Sequence, residues 1–437
     1  MASIKKRGNS YLITVSCGRD MNNKQILKTV TYEPDKNLTP KQQEKALQRF
    51  ALDFEEKVKS GKYLNGDKMS FADFVKKWEQ DYALVQLEET TVAGYRKILD
   101  LFLLKQFGHL KISMIKPFHI QSYYNSLLKE DAKVKGGAYS TSSIKKIHGV
   151  LSSILNVAVK WNVIDSNPCE KVFVPKNTAE NRSENCFDLE QCQNFLEALE
   201  MTYPVKYRAH CRESQNGAKY DVSEYVEMHK VDTQFKLFFQ LALFGQFRRG
   251  ELIALEWSDF DFDNNTVTIN KAAGFVGNRQ VVKRPKTKKS NRTVKIPVSV
   301  MRVAKEYKKE YYEYRMKIGN QWHREDGELS QYVFIQWDGT QMHLSTPTHK
   351  FKEIVVNYNK IVTEDKKLPE HVTLHGLRHT GASLLISQNT DVQTVASRLG
   401  HSSPTVTLQI YSHAFEKLDE EASNTLETMF LKTGVEV

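Results

Sequence analysis

The sequence predicts a multidomain α+β fold: a small N-terminal three-stranded sheet plus helix, a four-helix domain, and a mostly α C-terminal domain with a small antiparallel sheet. Three observations carry this reading. Residues 1–33 alternate apolar and polar side chains with the period of strands, residues 70–160 follow the 3.6-residue period of helices, and residues from Phe187 onward mix helical stretches with short β-rich runs. At 437 residues the chain has room for two to four domains of ordinary size.

In order, Tyr11-Leu12-Ile13-Thr14-Val15 and Ile26 to Tyr32 read as strands around a turn at 18–24. Thr39-Pro40 opens a helix to about Lys59, with Thr39 as N-cap and Pro40 at the first helical position. A Gly- and Ser-containing stretch at 60–67 reads as a linker. Phe71, Phe74, Val75 and Trp78 mark the first face of the helical domain, and Tyr95, Ile98, Leu99, Phe102 and Leu103 the second. Pro117 starts a third helix, and Ser140 or Thr141 a fourth that ends near Trp161. The polar run 176–184 separates this domain from the last. The boundaries are 1–65, 69–175 and 185–437. In the last domain, helices are expected near 188–200, 233–245, 249–255, 299–317, 346–361, 376–388, 391–399, 404–410 and 414–431. Strands are expected near 265–270, 279–284 and 292–296. Residues 203–232 read as a polar insertion with no predicted element.

Several classes are excluded. No run approaches the roughly 18 apolar residues of a membrane span; the greasiest stretch, Phe235 to Phe247, is broken by Lys236, Gln240 and Gln246. Residues 1–16 hold no apolar stretch long enough for a signal peptide. The five cysteines (Cys17, Cys169, Cys186, Cys192, Cys211) are scattered with no CxxC pair, so free thiols are expected rather than a disulfide framework or a zinc knuckle.

The formal net charge is +11, and its distribution is informative. Residues 1–30 hold Lys5, Lys6, Arg7, Arg19, Lys24 and Lys28 against one acid, while residues 281–295 hold seven basic residues and no acid. From Glu416 on, six acids face two lysines. Separated basic blocks suggest several contacts along one nucleic acid. Candidate DNA contacts are those six residues with Lys145, Lys146, Lys288, Lys289 and Arg292.

Four short segments carry candidate chemistry. Arg248-Arg249-Gly250-Glu251 follows an apolar helix; Gly250 suggests a tight turn, and Glu251 is close enough to hold the Arg248 guanidinium. Lys283 to Pro297 reads as a β-hairpin with a basic tip. In His375-Gly-Leu-Arg378-His379, His375 and Arg378 share a helix face. His375 and His379, four apart, could suggest a metal pair, but the glutamate of a His-Glu-x-x-His site is missing and no third ligand is evident. Finally, Gly400 ends one helix, His401 lies in the turn, Ser403-Pro404 starts another helix, and Tyr411 lies just past it.

Taken together, Arg248 in Arg-x-Gly-Glu, Lys286 in Pro-Lys-Thr-Lys, His375-x-x-Arg378, and Leu-Gly-His401 followed ten residues later by Tyr411 resemble the tyrosine recombinase (phage integrase) family. Gly108 to Gln121 and Ser142 to Pro168 resemble its core-site-binding domain, and residues 1–60 the arm-site-binding domain of prophage and conjugative-transposon integrases. One departure is Gly245-Gln246, where the family commonly has Thr-Gly; the insertion at 203–232 is another.

The resemblance implies a site-specific DNA recombinase that integrates and excises a mobile element in a bacterial cytoplasm. Tyr411 would be the nucleophile, forming a 3′-phosphotyrosyl link. Arg248, Arg378 and His401 would bind the phosphate, His375 would assist proton movement, Lys286 would protonate the leaving oxygen with Lys288 as runner-up, and Glu251 would support. It implies no cofactor, no metal and no ATP. The expected partners are double-stranded DNA at core and arm sites, four protomers on a Holliday junction, and candidate accessory proteins in an excisionase and a host DNA-bending protein; no membrane is involved. A resolvase- or topoisomerase-like enzyme is disfavoured by the N-terminal module, and a regulator without catalysis by the intact set of six. The C-terminal stripe Phe415, Leu418, Ala422, Leu426, Met429 and Phe430 suggests a helix that packs on its own domain or on a neighbour.

Overall fold

The computed structural model describes residues 2–19, 23–35, 37–59, 69–133, 136–175, 185–213, 219–277, 279–283, 291–325, 327–401 and 403–411. Lys286, Lys288, Lys289 and the helix expected over 414–431 lie outside the described residues, as does the side chain of Arg19. The chain divides into two units, Met1–Glu180 and Asn181–Val437.

The first unit holds two hydrophobic cores. Strands β1 (Ser3–Arg7), β2 (Ser10–Arg19) and β3 (Gln25–Tyr32) form an antiparallel sheet in the order β1-β2-β3. Helix α1 (Pro40–Lys59) covers one face, where Ile13 and Val15 meet Leu47, Ala51, Phe54 and Val58. Directly opposed residues in such a sheet share a face. Lys6 stands opposite Tyr11 and Lys28 opposite Val15, so both lie on the helix side. Lys5 and Arg7, opposite Leu12 and Ser10, lie on the open face with Thr14, Thr29 and Thr31.

The second core belongs to four helical rods. Ser70 caps α2 (Phe71–Trp78), accepting from the Asp73 amide; the rod passes through a π-helical turn at Glu79–Ala83 into α3 (Leu84–Gln86). A second π-turn, Leu99–Leu103, joins α4 (Glu89–Ile98) to α5 (Leu104–Phe107). α6 (Pro117–Leu127) and α7 (Thr141–Lys160) complete the set. Each π-turn inserts a residue and shifts the phase of the apolar stripe; Leu99 and Leu103 in the second are both buried. Lys145 and Lys146 are exposed between buried Ile144 and Ile147.

The second unit starts with α8 (Leu189–Ala198), capped reciprocally by Asp188 and Gln191. Residues 203–232 are not irregular. They form β4 (Thr202–Tyr207), β5 (His210–Glu213), β6 (Lys219–Val222) and β7 (Tyr225–Lys230), with β4 paired to β7 and β5 to β6. β7 is largely exposed, and Tyr203 of β4 is the residue that reaches the core, so little apolar alternation marks the ribbon in the sequence. Next come the apolar α9 (Thr233–Phe244), α10 (Arg249–Ile253), β8 (Phe260–Asp261), β9 (Thr266–Ile269), β10 (Ala272–Val276), β11 (Arg279–Lys283) and β12 (Arg292–Lys295). Among the described residues, the two strands expected to form one hairpin over 283–297 are not paired with each other. β11 pairs with β10, while β12 pairs with β9 in a sheet of order β12-β9-β8. The apolar residues of the two strands were satisfied by different partners, which local spacing does not specify. α11 (Val298–Ile318), the short pair β13 (Arg324–Glu325) and β14 (Glu328–Leu329), α12 (Thr346–Asn359), α13 (Leu374–Ser387), α14 (Val392–Leu399) and α15 (Pro404–Ile410) follow. The core of this unit runs from Phe187 through α9 to Leu377, with Phe195, Phe239 and Phe351 in mutual ring contact. Among the described residues no helix is long and apolar enough to cross a membrane.

Candidate active site

The site forms where α9, α10, β12, α13 and the α14–α15 turn converge. Gly245 ends α9, and Gln246 follows in the left-handed region at φ +52°, buried to 2% exposure. A side chain there costs of order 1 kcal/mol relative to glycine, and Gln246 offsets it with contacts. Its backbone oxygen accepts from Arg378 Nη1, and its Oε1 accepts from Arg398 Nε at 3.2 Å. The departure from the family's usual glycine is thus a clamp between two arginines.

Arg248 precedes α10 and is held by Glu251. The Glu251 carboxylate accepts the Arg248 amide at 2.8 Å and Arg248 Nη1 at 2.8 Å, as the spacing predicts. Gly250 serves a different purpose from the one expected. Its backbone is not strained; a Cβ would strike the carbonyl of Ala273, so the glycine lets α10 lie against β10.

Arg292 requires a correction. Predicted as a DNA contact, it is 9% exposed. Its Nη2 and Nη1 bond Glu251 at 2.8 and 3.2 Å, and its Nε donates to the Arg398 carbonyl at 2.7 Å. Two cations on one buried carboxylate explain its acidity. Burial raises the Glu251 pKa, but Arg292 and then Arg248 outweigh it and bring it to about 2.

Thr373 caps α13 by accepting from the Gly376 amide, and Asn185 Oδ1 accepts the Thr373 amide at 2.8 Å. The helix delivers His375, Arg378 and His379. Arg378 is 2% exposed and donates to the carbonyls of Gln246 and Leu399 and to His401 Nε2 at 3.3 Å. Among the described residues three of its five N–H donors are thereby engaged, leaving two for an anion. Burial, then the charge of Arg248, push its pKa down. Two guanidiniums that feel each other's charge favour an anion that both can bind.

Gly400 ends α14 in the left-handed conformation at φ 65°, where a Cβ would also press on Arg292. His401 follows. Arg378 can only donate, so His401 Nε2 is the acceptor and its Nδ1–H donates to Thr407 Oγ1 at 2.9 Å. Burial and the charges of Arg378, Arg248 and Arg292 push its pKa to about 4. Desolvation, then Arg378 and Arg248, lower that of His375. Ser403 caps α15, which carries Thr407 and ends at Tyr411. Tyr411 is 1% exposed; burial raises its phenol to about 12 against the opposing pull of Arg378. The phenol oxygen lies 2.8 Å from His379 Nδ1.

The structure therefore brings together five of the six expected catalytic residues, with Glu251; Lys286 falls outside the described residues. Sequence reasoning missed Arg292 as a scaffold residue, Gln246 as a clamp, Thr407, and His379 as the histidine that reaches the phenol. One signal was available: Arg292 alternates in phase with buried Val294 and Ile296.

Comparison with known proteins bears on the chain's family and fold. Residues 219–417 match the phage integrase family, and residues 70–128 match the N-terminal SAM-like domain of phage integrases. A tyrosine recombinase XerC-like protein of Caldanaerobacter subterraneus subsp. tengcongensis is 26% identical over 98% of both chains. The ICEBs1 integrase of Bacillus subtilis is 25% identical over 66% of each, and the integrase of Staphylococcus phage L54a is 26% identical over 74% of this chain and 82% of its own. In fold, the Tn1549 transposon integrase solved with a circular intermediate DNA superposes with a TM-score of 0.61 at 19% identity, covering 82% of this chain and all of that one. A lambda integrase tetramer bound to a Holliday junction gives 0.51 at 14% identity, over 92% and 96%. Matches to successive parts of one family, and a relative alignable from end to end, place this chain in the phage integrase family of tyrosine recombinases.

Proposed function

We propose that this chain cuts and rejoins DNA at specific sites to integrate and excise a mobile element, with Tyr411 as the nucleophile. The observation that carries the reading is the placement of a buried phenol beside Arg378, in the charge field of Arg248 and next to the His401 turn. Tyr411 Oη attacks phosphorus, the bond to the 5′-oxygen breaks, and a 3′-phosphotyrosyl link holds the strand. The link keeps the energy of the phosphodiester, so rejoining needs no nucleotide triphosphate. Arg248 and Arg378 neutralise the nonbridging oxygens. The phosphate in turn neutralises the charges that hold His401 uncharged, so the imidazole can gain a proton and donate to it. In the test, a nicked duplex from the DNA flanking the coding gene is incubated with the full chain. A covalent adduct mapped to the Tyr411 peptide is expected; DNA binding with no adduct would refute the reading.

Residues 1–65 supply arm-site binding through the open face bearing Lys5 and Arg7, and 69–175 bind the core site. Four protomers act on two duplexes, aided by a host DNA-bending protein and an excisionase. Deleting residues 1–65 should abolish gel shifts on arm-site duplexes and leave core-site adduct formation within about tenfold, since backbone contacts carry most of such affinity. A truncated protein that retains arm binding would remove that role.

Lys286 is the proton donor to the departing 5′-oxygen, with Lys288 the alternative. Lys286→Ala should slow cleavage by about 100-fold or more. A substrate with sulfur as the 5′-bridging atom should restore the rate, because a thiolate leaves without a proton. An equally slow reaction on the sulfur substrate would reduce Lys286 to a phosphate contact.

A further inference from the structure

The histidine that touches the reacting oxygen is not among the six residues of the family signature. His379 follows Arg378 on α13, and its Nδ1 lies 2.8 Å from Tyr411 Oη. The rings are 5.5 Å apart between centroids and inclined by 53°. His375 sits one turn earlier, edge-on to His379 with centroids at 4.8 Å. His379 is half-buried and His375 exposed, so the pair runs from the phenol toward solvent.

We propose that His379 is a catalytic residue: it holds the Tyr411 phenol in line and takes its proton as the nucleophile attacks. The step balances. The Tyr411 Oη–P bond forms as the P–O5′ bond breaks; the phenolic proton moves to His379 Nδ1, and the leaving oxygen takes its own proton from the general acid of the basic segment. On rejoining, His379 returns the proton to the phenol.

Three considerations support this. A candidate base must first be within hydrogen-bond reach of the proton it abstracts, and His379 meets that condition. The buried phenol, raised to about 12, has essentially no phenolate at neutral pH, so attack needs an acceptor at hand. Finally, the neighbouring arginines are cations and cannot accept, while His401 Nε2 is occupied by Arg378.

The inference rests on Tyr411 being the nucleophile, so the wild-type adduct is first mapped to Tyr411. The discriminating variant is His379→Asn. Its side-chain oxygen can stand where Nδ1 stands and keep the hydrogen bond, but it is not a base. On the nicked duplex, single-turnover adduct formation should fall by about 100-fold or more, with duplex binding unchanged. Replacing Tyr411 by difluorotyrosine, a more acidic phenol, should recover most of that loss in the His379→Asn protein and little in wild type. In His379→Gly, added imidazole should restore the rate in proportion to its free-base form. Wild-type rates in His379→Asn would overturn the proposal. So would a loss that neither the acidic phenol nor imidazole repairs, since His379 would then only pack against the tyrosine. If both variants fail to bind DNA, the wild-type chain decides on the substrate with sulfur as the 5′-bridging atom, whose departure needs no proton: slower adduct formation in heavy than in light water is expected, and equal rates would overturn the proposal.

Discussion

Tyr411→Phe should bind core-site DNA as tightly as the wild type and form no covalent adduct. The substitution removes one oxygen from a side chain that is 1% exposed, and the ring keeps its packing against Ile386, Val395 and Leu399. What is lost is the hydrogen bond to His379, of order 1 kcal/mol. Affinity for DNA comes chiefly from phosphate contacts made by basic residues, and none of these is altered. The anion site is also independent of the phenol, because Arg378 is fixed by the Gln246 and Leu399 carbonyls and Arg248 by Glu251. Cleavage should therefore fall below detection while the gel-shift midpoint stays within about twofold. An adduct at the same phosphodiester in the variant would show that another residue is the nucleophile.

The parts of this site that were legible in the sequence are those set by local chemistry. A glycine in the left-handed conformation at Gly400, a Ser-Pro helix start at 403–404 and the three-residue reach from Arg248 to Glu251 depend on neighbours in the chain. Helices of the two units were legible for the same reason, since a 3.6-residue stripe is a local property. What was hidden depends on distant partners. A run of seven basic residues reads as solvated, yet Arg292 is drawn inward by Glu251, 41 residues away in the chain. The strands on either side of that run look like one hairpin, but each finds its partner elsewhere. Residues 203–232 escaped notice because β7 is largely exposed and the ribbon meets the core through few side chains, Tyr203 among them. His379 was visible only as half of a histidine pair, and its true partner lies 32 residues on.

Glu251→Gln should strongly destabilise the second unit, and it should flatten that unit's response to acid. The Glu251 carboxylate joins Arg248, Arg292 and, through Arg292, the carbonyl of Arg398 ahead of the His401 turn. Glutamine preserves shape but brings no charge, and its amide nitrogen would face a guanidinium. Two arginines then share a neutral oxygen, and Arg292, 9% exposed, loses the Glu251 charge that its Nη1 and Nη2 bond. Breaking a buried pair in this way costs about 3–5 kcal/mol. The pH dependence has a definite sign. The Glu251 pKa lies at about 2 in the folded chain against 4.5 for an unperturbed carboxyl. Its stabilisation is complete above pH 4.5 and is lost as the pH falls from there toward 2, amounting to about 3 kcal/mol in all. His401 adds to the loss at milder acidity, because its pKa of about 4 against 6.5 means that the unfolded chain binds the proton first. Calorimetry of the full chain should show the transition of the second unit at a lower temperature in Glu251→Gln at pH 7. The gap to wild type should shrink as the pH is lowered below 4.5, since acid progressively removes from wild type what the substitution has already removed. A gap that stays constant down to the acid limit would mean that Glu251 acts through packing rather than charge. Cleavage should fall as well, because Arg248 loses the support that aims it at the phosphate and the His401 turn loses the arginine beneath it.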